Sequence, residues 1–383
     1  MDPEHKGAVG LDNDIGTVLS YQSNIVVDGF DVGIRMRPYH FTRPTLEHVT
    51  IRNQRVAGVQ LVDGTASIRK LRSENTVPAM SLTGGGSHAV LLDSELVGGA
   101  AGTSAITINA GQAFVRKVTV AGYGHSVKKG TQLVDGNIGE YVSHAPVRFS
   151  TATPAKSLDL PVEEVPVRAW DPVTSWVKPN TPGDGVADAT AAIRAAMSSG
   201  RPTVYFPGYE YRTTAPIDIP CSVKQVQFMF TEVSNSGVKF RVLGGCSDPL
   251  FVRDGSMQGI AFDHIGNRPL VMHRIHGSGG AYRNSVATGT PVLFGNMINK
   301  VESFHDMRAY LRVTNSESPL GQWTIDNATV WMLGFKSEKT ALVFDVINGG
   351  TLEVLGGIIN QYSQEPASAW AGSLAIIPPY VSY

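Results

Sequence analysis

Short β-branched runs recur along this chain at a nearly constant interval, and that interval limits the fold more than any other feature. Ile25-Val26-Val27, Val49-Thr50-Ile51, Ile68-Arg69-Lys70-Leu71, Val90-Leu91-Leu92 and Phe114-Val115 begin about 19 to 24 residues apart. Each is followed by a Gly or Asp-Gly turn and a second short strand, as in Val59–Gly64. A unit of this size, with two or three strands and no helix, is one rung of a parallel β-solenoid. An antiparallel sandwich also contains many short strands, but it would show two-residue hairpin turns at strand spacing, and those are scarce here. The composition agrees with strands and tight turns: 41 of 383 residues are Gly, and charged residues are 17% against a usual ~25%.

The period is clearest near the C-terminus. Segments 307–317, 328–338 and 350–360 align at offsets of 21 and 22 residues. The alignment predicts one column of Tyr310, Trp331 and Glu353, a second of Leu311, Met332 and Val354, and a third of Glu317, Glu338 and Asn360. Adjacent strands lie ~4.8 Å apart, so one column sets like positions side by side on successive rungs. Between the two strand-rich regions, residues 146–182 hold Pro146, Pro154, Pro161, Pro166, Pro172, Pro179 and Pro182. Prolines so dense cannot occupy central strands, so the segment reads as an extended linker, with Trp170 and Trp176 packing on something. One helix is expected, over 188–200, with Asp188 as N-cap and Gly200 at its end.

The stretch 183–217, GDGVADATAAIRAAMSSGRPTVYFPGYEYRTTAPI, resembles the opening of the pectate lyase-like superfamily of right-handed parallel β-helices. That opening has a Gly-Asp-Gly turn, paired Asp before Thr, a short capping helix and a Tyr-Phe-Pro strand; here the pair is reduced to Asp188-Ala189. The N-terminal segments GFDVGIR and TLEHVTIRNQRVAGVQL look like the later rungs of a first, similar helix. ATVWMLGFKSEK and GGTLEVLGG resemble proteins related to glycoside hydrolase families 28 and 55. The resemblance implies two tandem right-handed parallel β-helices: 1–145 as the C-terminal rungs of the first, 146–182 as linker, and 183–383 as the second with its capping helix. It also implies a carbohydrate-active protein in an extracellular or periplasmic setting, cleaving a β-1,3-glucan-like or pectin-like polysaccharide. The superfamily hosts hydrolases, lyases, epimerases and tailspikes, so the fold alone does not choose among them.

Glycoside hydrolysis needs two carboxyl groups flanking the scissile bond. Glu317 and Glu338, one rung apart, are the expected catalytic pair; proximity raises one pKa and suits that group to act as acid. The resemblance to family 55 implies the same acid/base role at these two positions. The competing reading makes both solvated turn residues, with Lys336 and Lys339 as partners of Glu338. Glu353, alternating outward beside Tyr310 and Trp331, is a candidate sugar-binding group. Trp323 and Tyr362 would extend the aromatic platform, Arg308 and Arg312 would bind a uronate, and Asp326 and Asp345 are weaker acid candidates.

Other chemistry finds little support. No Asp cluster on consecutive rungs offers the calcium site of a lyase, and His264, His273 and His276 lack metal-ligand spacing. No metal and no cofactor is therefore expected. A net charge of −1 argues against nucleic acid as a bulk electrostatic partner, and no apolar run approaches the ~20 residues of a membrane span. The expected partner is a polysaccharide or oligosaccharide. Cys221 and Cys246, about one rung apart, either stack as buried thiols or form a disulfide, with buried thiols the expectation. A non-catalytic polysaccharide-binding or structural β-helix, and a lyase of the same fold, are the alternatives to a hydrolase.

Overall fold

The computed structural model describes residues 7–13, 19–37, 43–146, 156–235, 237–284, 290–299, 303–316, 323–338, 343–360 and 380–382. The chain forms a parallel β-solenoid of about 14 turns, consistent with the expected right-handed β-helix. In the first stack the long strands Leu19–Asp28, Arg43–Arg52, Thr65–Asn75, His88–Gly98 and Gln112–Ala121 pair in parallel, in sequence order. In the second, Leu250–Met257, Leu270–Gly277, Val292–Asn299, Arg308–Ser316, Thr329–Glu338 and Thr351–Leu355 do the same. Among the described residues, no sheet mixes strands of the two stacks.

Each rung buries one alternate set of side chains inside its own coil. Leu46, Ile68, Leu91 and Val115 are direct neighbours on successive rungs and are fully buried. Leu311, Met332 and Val354 stack the same way in the second coil, and Tyr310, Trp331 and Glu353 form the adjacent column, as the 21- and 22-residue offsets predict. A stack's end strands present unpaired edges, a liability that must be covered. Ile138–Val142 closes one edge of the first stack antiparallel to Gln112–Ala121, and Tyr380–Ser382 lies antiparallel on Thr351–Leu355 in the second. The helix Thr190–Met197 packs beside Ile217–Ile219, burying Ile193, Ala196 and Met197. It is shorter than expected and its N-cap is Ala189. Asp188 instead sits one residue earlier, where its carboxylate accepts from the backbone N–H and hydroxyl of Thr190.

Every long rung is bent once by a single left-handed residue. In the first stack these are Asn24, His48, Lys70, Asp93 and Lys117; in the second, Asp254, Arg274, Met297, Val313, Gly334 and Gly356. The bends stack in a line, so each long strand is two short ones meeting at an angle. They also reset the in–out alternation: His273 faces out before Arg274, and Ile275 is buried after it. The cysteine expectation is corrected. Cys221 and Cys246 are joined, with Cα atoms 5.4 Å apart, because they sit on adjacent turns within the 4.4–6.8 Å that a disulfide spans.

Candidate functional site

The strand Thr351–Leu355 alternates as its sequence dictates, with Leu352 and Val354 inside the coil and Glu353 out of it. Outward, however, is not toward water. Glu353 is 0% exposed because that face of the second stack is covered by the first. Arg116 donates to both its oxygens, at 2.6 and 3.2 Å, and the backbone N–H of Asp159 donates at 3.0 Å. Trp331, also 0% exposed, and Tyr310 pack in a shared apolar cluster with Val90, Leu92 and Phe114 of the first stack. The expectation of an open sugar-binding face of Glu353, Trp331 and Tyr310 is therefore corrected: this column is a sheet-on-sheet seam.

Arg312 belongs to the same seam rather than to a substrate. It is fully buried, donates through Nε to Glu47 at 2.9 Å, and holds its guanidinium 5.0 Å from the Trp331 ring centroid. Glu47 also accepts from Arg69 at 2.9 Å and from the Tyr21 hydroxyl at 2.8 Å. Burial alone would push the Glu47 carboxyl up; Arg312 and Arg69 outweigh it and hold it below the usual carboxylate range. Desolvating charges is costly unless every one is paired, and here each acid has a cation across or along the seam.

The proline-rich segment runs along this junction. Leu160, Val162 and Val165 pack against the shared cluster. Glu163 takes Arg308 and the Tyr310 hydroxyl from the second stack. Glu164 takes Arg69, Lys70 and His48 from the first. Burial would raise the Glu164 carboxyl, yet its bonds from Arg69 and Lys70 bring it down to about 2. Arg308 is thus engaged by the chain itself. Trp323 is inside the second coil, edge-on to Phe335 and Phe344, so it extends no platform. Asp326 ends a strand of another sheet, where Asn348 donates to it at 2.7 Å and His305 lies at 3.2 Å.

Of the expected catalytic pair, only the backbone of Glu338 is described, at the end of the strand Thr329–Glu338. Ser316 pairs with Ser337, and Glu338 closes its strand opposite Asn360. Glu317, Tyr362 and the side chain of Glu338 lie outside the described residues. Beside the bends, a cleft of about 280 Å³ is lined by Phe230, Ser256, Arg274, His276, Met297 and Val313. Phe230 is 76% exposed, with the Arg274 guanidinium 6.0 Å from its centroid. Arg274 is held by Asp254, which also accepts from Gln227 at 2.8 Å. Among the described residues no three His, Cys, Asp or Glu side chains gather as metal ligands, and no helix is long and apolar enough to cross a membrane.

Glu47, Arg69 and Arg116 went unseen in the sequence because their partners are remote: Glu47 meets Arg312 across 265 positions and Arg116 meets Glu353 across 237. The one available signal is their place, as charges on the outward set of otherwise apolar strands. No family model matches the chain, and no curated protein matches it.

Proposed function

We propose that the chain is a carbohydrate-active β-helix protein, a glycoside hydrolase in which Glu317 and Glu338 share general acid/base duty on a polysaccharide. The observation that carries the reading is the strand register. Ser316 and Ser337 are direct partners, and the next residues in sequence are Glu317 and Glu338. Two carboxyls held one rung apart would repel, which would raise the pKa of one and suit it to protonate the glycosidic oxygen while the other serves as base or nucleophile. Glu353 is set aside from this chemistry by its buried pairing with Arg116. The resemblance to glycoside hydrolase families 28 and 55 supports the same reaction class, and the Cys221–Cys246 disulfide supports an oxidising, extracellular or periplasmic setting.

The test is a polysaccharide panel, with β-1,3-glucan and polygalacturonate among its members, read by reducing ends. Glu317→Gln and Glu338→Gln are each expected to lower the rate by roughly 10²–10⁴-fold with the fold retained. A wild type inactive on every member, or activity that survives both changes, would remove the hydrolase reading. A non-catalytic glycan-binding β-helix is favoured by one observation, the exposed Phe230 beside Arg274 in a cleft with no carboxylate pair among its lining residues. Retention of the wild type by glycan without hydrolysis selects it.

A further inference from the structure

The linker carries a feature that the hydrolytic reading leaves unused. Between 166 and 172 it stands off the second stack and, with Lys224, Asp248 and Phe251, encloses a cleft of about 580 Å³, within the ~300–1,000 Å³ usual for ligand sites. Trp170 lines it and is 55% exposed. An indole left this open costs apolar burial unless something else is gained. It is also held in place: the Arg253 guanidinium lies 5.0 Å from its centroid and Trp176 packs at 5.9 Å. The backbone on either side is pinned through Asp171, which accepts from Arg168 at 2.7 Å and from the Thr203 hydroxyl at 2.7 Å, while its carbonyl takes the Trp176 indole N–H at 3.0 Å.

The rim is polar and balanced. Arg168 pairs with Asp171 and Lys224 with Asp248, so each cation lining the cleft has its own acid. Such a rim offers donors and acceptors in matched pairs without a net field. That suits a ligand rich in hydroxyls and without charge, whose C–H face lies on an aromatic ring. Neither cation that lines the cleft is left free for an anionic polymer, and the Arg253 guanidinium beside it lies against the Trp170 ring.

We propose that Trp170 and this rim form a second, non-catalytic binding site for a neutral saccharide, separate from the Glu317–Glu338 position and set on the segment that joins the stacks. The proposal rests on the reading of the protein as carbohydrate-active but not on its being a hydrolase. A fixed indole above a polar rim would hold a polymer on the protein while another stretch is processed or simply retained.

The test is affinity electrophoresis of the full chain in native gels containing soluble β-1,3-glucan, β-1,4-glucan, galactomannan or polygalacturonate, or no polymer. At least one neutral polymer is expected to retard the wild type. Trp170→Ala should weaken that retardation by about tenfold or more, while Glu317→Gln and Glu338→Gln leave it intact. A Lys224→Ala/Asp248→Ala variant, which removes the exposed pair without touching the core, should weaken it as well and reads the site if Trp170→Ala fails to fold. Retardation unchanged in both the Trp170 and the rim variants would overturn the site. Retardation by polygalacturonate alone would overturn its ligand class, and no retardation by any polymer would overturn the proposal. Loss of hydrolysis in the glutamate variants with retardation kept separates this site from the catalytic one.

Discussion

Gly334 and Gly356 show how a single atom can be decisive at this junction. Both lie at left-handed bends, with φ of 75° and 73°, where a Cβ carries a steric cost of roughly 1–2 kcal/mol. Both also meet the other stack: a Cβ on Gly334 would come 2.2 Å from Thr45 Oγ1, and one on Gly356 2.1 Å from Ser67 Oγ. Lys117, at an equivalent bend with φ of 53°, carries a half-exposed side chain that reaches outward to Asp159. Gly334→Ala and Gly356→Ala are therefore each expected to destabilise the protein by more than the ~1–2 kcal/mol of the backbone alone, measured by urea denaturation; a loss below ~0.5 kcal/mol would mean that the stacks are not in contact there. At this scale the sequence was half readable. The alternation of Thr351–Leu355 announces that Glu353 points away from its own core, but nothing local announces that Arg116 waits on the other side.

At the scale of the element, the rungs were legible where a side-chain pattern repeats and illegible where backbone alone repeats. Offsets of 21 and 22 residues give the register of the last three long strands correctly, because Leu311, Met332 and Val354 are all apolar and all inward. The line of bends leaves no such trace: Lys, Asp, Arg, Met and Val occupy the same left-handed conformation on different rungs, held there by neighbours and not by propensity. The second stack also carries two histidines that the fold keeps neutral. His264 is buried, with Nε2 donating to the Arg268 carbonyl at 2.7 Å, and burial takes it down to about 4. Burial and the nearby Arg253, Arg274 and Arg312, opposed by Asp254, take His273 down to about 4 as well. In the unfolded chain both return to about 6.5. The unfolded state then binds more protons between these values, so their stabilisation is complete above pH 6.5 and is lost as pH falls toward 4. The melting temperature is expected to decline through that window, and to decline less in a His273→Gln variant. A flat profile down to pH 4 would show that the imidazoles are solvated.

At the scale of the molecule, two coils of ordinary construction are made into one body by a sheet-on-sheet seam and a strap. Apolar columns meet in its middle, Glu47 and Glu353 are each neutralised by cations, and the acidic residues of the linker take Arg308, Arg69 and Lys70 along its edge. The seam occupies the face on which the sequence pattern predicts a sugar-binding column of Tyr310, Trp331 and Glu353, so the proposed acid/base pair and the proposed saccharide site are both assigned away from it. The most direct test of this arrangement is a double-mutant cycle between Arg116 and Glu353 in equilibrium urea denaturation. Removal of either partner from a buried pair strands the other charge and costs ~3–5 kcal/mol. Arg116→Met and Glu353→Gln should each fall in that range, and the double variant should fall short of their sum by a coupling of roughly 2–3 kcal/mol. Strict additivity of the two changes would mean that the side chains do not touch and that the two stacks are not docked through this face.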